Sequence, residues 1–170
     1  MTNPKGGPFG DEALAHFLET FLYTQDAFFV DEVLSADAEA RVITARMDTT
    51  RHLPIGSCQR VDPKRHPAHV SGPELILLTG NLGCLHAYFF HGCRWDEGWS
   101  GFGSRIHRAD FRDLTRIGPP LLLRSEETKT RVGPKRAVLR FAYEFTQEGR
   151  VVYRGDQSAM FVKDADLTEG

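Results

Sequence analysis

Hydrophobic and polar positions alternate most regularly near the end of the chain. Ala137, Leu139, Phe141, Tyr143 and Phe145 fall on one side, and Val138, Arg140, Ala142 and Glu144 on the other. This period of two is the mark of a strand with one buried face. Weaker versions of the pattern predict strands over Phe28–Ser35 and Arg41–Asp48, the latter with Ile43, Ala45 and Met47 inward. Others are predicted over Ser104–Ile117, with a bulge or bend, and over Leu121–Thr130. The run Gln147-Glu148-Gly149-Arg150 reads as a hairpin turn from the Arg136–Thr146 strand into a last strand over Val151–Val162.

Two segments carry helical spacing instead. Leu14, Phe17, Leu18, Phe21 and Leu22 predict an amphipathic helix over Asp11–Thr24, with Asp11 placed to cap it. Pro73–His91 (PELILLTGNLGCLHAYFFH) opens with Pro and Glu, as helix starts do, and is apolar nearly all round. A helix of that kind is buried. Gly80, Gly83, Cys84 and Ala87 place small residues on roughly one side, where a backbone or a ligand can approach closely. Between helix and strands lies a long irregular stretch, Thr49–Gly72, which holds His52, His66 and His69. A loop of this length in a compact domain is commonly functional. The Gly- and Pro-containing residues 1–10 are expected to be loose.

The order is thus helix, two strands, loop, one long buried helix, four strands. That order cannot make a βαβ array. It predicts an α+β fold, a single domain over residues 11–165 in which about six antiparallel strands curl around the long central helix. A formal net charge of −2 gives no footprint for nucleic acid. The N-terminus has no apolar signal-peptide core, and Leu75–Phe90 is too short and too interrupted by Gly80, Asn81, Gly83 and His86 to span a membrane. Three widely spaced cysteines argue against a disulfide framework. A cytoplasmic protein without membrane attachment is expected.

The stretch His69-Val70-Ser71-Gly72-Pro73-Glu74-Leu75-Ile76-Leu77 resembles the H-F-N-x-x-E-L-I-L run of the FcoT-like long-chain acyl thioesterases. More distantly it resembles the H-F-P-G segment of the FabA/FabZ-type hydroxyacyl dehydratases. Arg108-Ala109-Asp110-Phe111-Arg112 through Pro119 resembles the thioesterases' strand and bend. The likeness is sharp only over residues 69–82. Both families have the hotdog fold, so the resemblance implies that fold, a homodimer or dimer of dimers, and an acyl thioester of CoA or of an acyl carrier protein as substrate. It places His69 on the active-site histidine and Glu74 on the E of the helix start. The chain departs from the pattern at Ser71, where the family has Asn, and at Pro63, where it has Tyr. Some members of the group add an amine to an α,β-unsaturated acyl thioester before hydrolysing it. The dehydratases carry a carboxylate inside the central helix, whereas no Asp or Glu stands here between Glu74 and Asp96.

His69 is therefore the first candidate base, since an imidazole takes a proton near neutral pH. It precedes a helix N-terminus, where the N–H groups of Gly72, Glu74 and Leu75, with Ser71 beside them, are placed to hold a thioester oxygen. His66 is its rival, and the H-x-x-H spacing finds no clear third or fourth ligand for a metal. No metal and no cofactor are expected. Asn81, an amide in an apolar helix, either orients water or a carbonyl or bonds to neighbouring backbone. His86 reads as a hydrogen-bonded core histidine, His91 as a partner of the helix C-terminus and Cys84 as a small buried hydrophobe. Arg108, with Arg105, Arg112 and Arg116, could meet phosphate or an acidic carrier, or form a solvated and internally paired strand face. The leading expectation is thioester hydrolysis. The alternatives are hydration or dehydration of β-hydroxyacyl thioesters, and acyl binding without catalysis.

Overall fold

The computed structural model describes residues 4–164. Residues 1–3 of the segment expected to be loose and the expected domain end at 165 lie outside them. The helices are α1 (Asp11–Thr20) and α2 (Gly72–His91). The strands are β1 (Glu32–Asp37), β2 (Val42–Met47), β3 (Trp99–Phe111), β4 (Leu121–Val132), β5 (Arg136–Gln147) and β6 (Arg150–Lys163). They form one antiparallel sheet in the order β1-β2-β4-β5-β6-β3, which leaves β1 and β3 as open edges.

The inward side of this sheet carries the residues the alternation marked. Ile43, Ala45 and Met47 of β2 are buried, as are Leu139, Phe141, Tyr143 and Phe145 of β5. Against them packs α2, whose buried residues lie on nearly every side. The reason is that α2 is covered twice. Its far side meets α1 and the N-terminal segment, with Phe17 edge-on to Tyr88 at 5.0 Å and Phe9 stacked on Phe89 at 4.0 Å. Each aromatic pair adds about 1 kcal/mol to its burial.

Several expectations need correction. Residues 4–10 are tied down: Lys5 pairs its backbone with Asp31 and Val33, and Gly7–Phe9 forms a turn of 3-10 helix. Asp11 does not cap α1, because its carboxylate accepts the Gly6 N–H at 2.8 Å instead. α1 stops at Thr20, whose hydroxyl bonds back to the His16 carbonyl. β1 starts at Glu32 rather than Phe28, because the backbone of residues 27–29 is held by the Asn81 amide and not by a strand. β3 starts at Trp99, ahead of the expected Ser104, and bulges twice before Phe111. Gly101 permits its close approach to β6, since a Cβ there would fall 2.7 Å from the Phe161 ring.

Beyond β3 the chain turns past the loop that precedes α2. Val70 N–H bonds to the Thr115 carbonyl at 2.9 Å, and His69 pairs with Arg116. The end of one strand thereby fixes the entry to the helix.

Candidate active site

The start of α2 is held by Glu74. Its carboxylate, 2% exposed, accepts from the Ile55 and Gly56 N–H groups and from the Ser71 N–H and hydroxyl, all within 2.9 Å. Burial pushes this carboxyl's pKa up, but the hydrogen bonds from Gly56, Ser71 and Ile55 outweigh it, so the group stays ionised below the usual range. Glu74 thus joins the loop near Gly56, residue 71 and the first helical turn into one unit. It caps and braces rather than facing a reactant.

His69 sits on that unit. The Gln59 side chain brackets its backbone, donating to the His69 carbonyl at 2.9 Å and accepting its N–H at 3.2 Å. The ring Nδ1 lies 2.8 Å from the Pro67 carbonyl oxygen. A carbonyl only accepts, so Nδ1 carries the proton and the lone pair of the neutral ring is on Nε2. Nε2 has no hydrogen-bond partner among the described residues. His66 is exposed and turns its ring edge-on to His69 at 5.0 Å.

The helix N-terminus offers less than expected. Glu74 and Leu75 both donate their N–H groups to the Ser71 carbonyl. Pro73 has none, so Gly72 alone of the expected donors keeps an N–H without a partner among the described residues. Gly72 also lies under the Phe111 ring, where a Cβ would come within 3.0 Å of ring carbon. His66, His69, Ser71, Gly72, Glu74 and Leu75 therefore form one neighbourhood at the head of α2.

Asn81 and Arg108 stand apart from it. The Asn81 amide accepts from Phe29 N–H at 2.9 Å and donates one N–H to the Ala27 carbonyl at 3.0 Å, which anchors the chain before β1, and Asn81 also lines the cavity beside α2. Arg108, on exposed β3, donates to Asp110 at 2.7 Å. Arg112 also reaches Asp110, and Arg116 pairs with Glu148. Arg105 makes no ion pair among the described residues.

A cavity of about 510 Å³ runs beside α2, between Ile76 and Cys84 on the helix and Gly101–Ile106 on β3. Phe141, Tyr143 and Phe161 form part of its wall. Gly80 faces open space there, whereas a Cβ at Gly83 would meet the Phe141 ring of β5 at 3.4 Å, so Gly80 makes room in the cavity and Gly83 lets the sheet approach. No carboxylate lines the cavity among the described residues. Cys84 does, and burial pushes its thiol up to about 12, which keeps it un-ionised and a poor nucleophile. Sequence reasoning missed Gln59, Phe111 and the cavity-facing role of Tyr143; only Tyr143 gave a signal, as the sole hydroxyl on the inward side of β5.

A second polar cluster lies at the other end of α2. His86 Nδ1 is 2.9 Å from Glu127 Oε1, and its Nε2 is 2.8 Å from Ser125 Oγ. His91 and Thr130 bond the same carboxylate. No group of three side chains suited to a metal occurs among the described residues, and no described helix is long and apolar enough to cross a membrane.

No family model and no curated protein matches the sequence. Solved structures do match the fold. A thioesterase of Haemophilus influenzae is 16% identical, over 89% of this chain and 91% of that one, with a TM-score of 0.54. A hypothetical thioesterase protein of Streptococcus pneumoniae, solved with coenzyme A, is 12% identical over 86% and 97%, with a TM-score of 0.54. A mutant of the phenylacetic acid degradation protein PaaI of Thermus thermophilus is 14% identical over 80% and 96%, with a TM-score of 0.52. With one long helix buried on a six-stranded antiparallel sheet, this chain has the hotdog fold of those proteins.

Proposed function

We propose that the protein hydrolyses acyl thioesters, with the acyl group in the cavity beside α2 and the reacting carbonyl at the head of that helix. The observation that carries the reading is the tautomer of His69. Its Nδ1–H is committed to Pro67, which leaves Nε2 free to take a proton from water. As the resulting hydroxide adds to the carbonyl carbon, the oxygen gains negative charge, and the free N–H of Gly72 donates to it. Collapse of the adduct breaks the C–S bond, and the imidazolium returns its proton to the departing thiolate. His66, edge-on to His69, is the residue best placed to substitute for it.

The carrier is CoA or an acyl carrier protein. In favour of CoA stands the pneumococcal structure with that molecule. The unpaired Arg105 at the cavity and the Arg108 row on β3 suit its phosphates. The open edge of β3 suits pairing with a second copy in a homodimer or dimer of dimers. Dehydration or hydration needs an acid opposite the base, and the cavity wall supplies no carboxylate among the described residues.

The test is thiol release from saturated and α,β-unsaturated acyl-CoA esters, with and without glycine. His69→Ala should lower kcat by about 10²–10⁴-fold. Gly80→Leu, whose Cβ meets no neighbour, should block long acyl chains while sparing acetyl-CoA. A product heavier by glycine would add conjugate addition to the activity. Loss of enoyl absorbance without thiol release would point to hydration instead. Bound acyl groups without turnover in any arm would leave a binding protein.

A further inference from the structure

The wall of the cavity is apolar except at a few places, and one of these is unexplained by packing. Tyr143 is 4% exposed, lines the cavity and points inward from β5. Its hydroxyl makes no hydrogen bond to a described residue and, unlike the enclosed Tyr88 hydroxyl, opens to the cavity, 3.5 Å from where a Gly83 Cβ would be. A phenylalanine would fill the same space, so packing does not require the oxygen. The neighbouring polar groups do not bond it. The Thr79 hydroxyl lies within hydrogen-bond distance of the Ile76 carbonyl and of Gln157 Oε1, Gln157 donates to Tyr153, and Asn81 donates to Ala27. Gln157, opposite Phe141 in the sheet, also lines the cavity and has a second amide N–H to offer.

We propose that Tyr143 is a specificity residue, donating a hydrogen bond to an oxygen carried on the acyl chain far from the thioester. This rests on the thioesterase reading for the position of the reacting carbonyl. Gly83, beside the hydroxyl, is eleven residues along α2 from Gly72, or about 16 Å at the helical rise. An extended chain covers that span in roughly a dozen bonds. The substrate class is thus a medium-to-long acyl thioester with a hydroxyl, ether or keto oxygen near its far end. Neutral, buried Tyr143 is the donor, and Gln157 is the second group able to reach the same oxygen. An unsubstituted alkyl chain laid over the hydroxyl would enclose it without a partner and be bound less well for that reason.

The experiment compares dodecanoyl-CoA with 12-hydroxydodecanoyl-CoA in the wild type and in Tyr143→Phe. It is paired with calorimetric binding of the two free fatty acids. The wild type should prefer the hydroxylated ester by tenfold or more in kcat/KM. Tyr143→Phe should lose that preference by losing activity on the hydroxylated ester alone, with its melting temperature unchanged or raised. Hydrolysis of both esters with no preference, or a preference that survives Tyr143→Phe, would overturn the inference and leave the thioesterase reading standing. If neither ester is hydrolysed, the thioesterase reading fails, and the binding data decide the inference alone. Tighter binding of the hydroxylated acid that depends on Tyr143 supports it, and equal binding overturns it.

Discussion

The two ends of α2 each hold a histidine site, and they are opposites. At the C-terminal end, Ser125, His86 and Glu127 stand at the distances of a nucleophile, base and orienting carboxylate. At the N-terminal end, the His69 ring makes one hydrogen bond, to a carbonyl, and no carboxylate bonds it among the described residues. By hydrogen-bond geometry alone the first would be chosen as the reactive site. Exposure reverses the choice. Ser125 and His86 are 0% exposed and lie outside the cavity wall, whereas His69 is half-buried with Nε2 unbonded. A triad is recognised by roles as well as distances, and a nucleophile that no substrate reaches has no role. The cluster around Glu127 is a satisfied core network, and the His69 loop is a poised one.

The sharpest way to break this comparison is to remove the anchor of each site. Glu127→Ala should leave His86, His91 and Thr130 without their shared acceptor and lower stability by about 3–5 kcal/mol in denaturant titration. For a chain of this size that is roughly 10 °C in melting temperature. Activity per folded molecule should persist. His69→Ala should do the reverse, with stability changed by about 0.5 kcal/mol or less. If Glu127→Ala abolished turnover in folded protein, the assignment of the two sites would have to be exchanged.

Acid should weaken the C-terminal end in two stages. Burial pushes the pKa of His86 below its ordinary 6.5, so the fold holds it neutral while the unfolded chain takes up a proton. Its contribution is present above about 6.5 and is lost as pH falls below that. Burial pushes Glu127 up, but hydrogen bonds from His86, His91 and Thr130 outweigh this and hold it at about 2. Being lower in the fold than the ordinary 4.5, its contribution is full above 4.5 and is lost as pH falls from there towards 2. Melting temperature measured from pH 8 to pH 3 should fall through both windows. In His86→Gln the upper step should shrink. A melting temperature that rises on acidification between pH 7 and pH 5 would contradict the neutral, buried His86.

How much of this was legible in the sequence depended on contrast. β5 has an apolar face and a mixed face, so its alternation gave its bounds to within a residue. β3 is an edge strand exposed along most of its length, and Gly101 and Gly103 break its pattern, so the sequence predicts it only from Ser104. The sequence marks Glu74 as a helix-start acid, but its pairing with Ser71 in a capping box emerges only in the structure, because Ser71 reads equally as a neighbour of the thioester oxygen. The ring of groups on Glu127 could not be read either, because His86 and Glu127 are 41 residues apart and only the fold brings them together. The same holds for Gln59 on His69. Asn81 had two readings in sequence, and its partners, residues 27 and 29, are more than fifty positions away.

Ser125→Ala gives the smallest expected effect and the most direct test of the contrast. The Ser125 hydroxyl donates to His86 Nε2 and lies 3.4 Å from the Ile43 carbonyl. Its removal leaves one imidazole nitrogen without a partner inside the core, a cost of about 1–2 kcal/mol. If the cluster only holds the sheet to α2, kcat/KM for acyl thioesters should be unchanged. A serine-directed fluorophosphonate should also fail to label the wild type, because no path leads to Oγ. Labelling at Ser125, or turnover that disappears with its hydroxyl while the fold remains, would mean that the core opens to substrate. The trio at the C-terminal end of α2 would then be the working site, and the free nitrogen of His69 would be incidental.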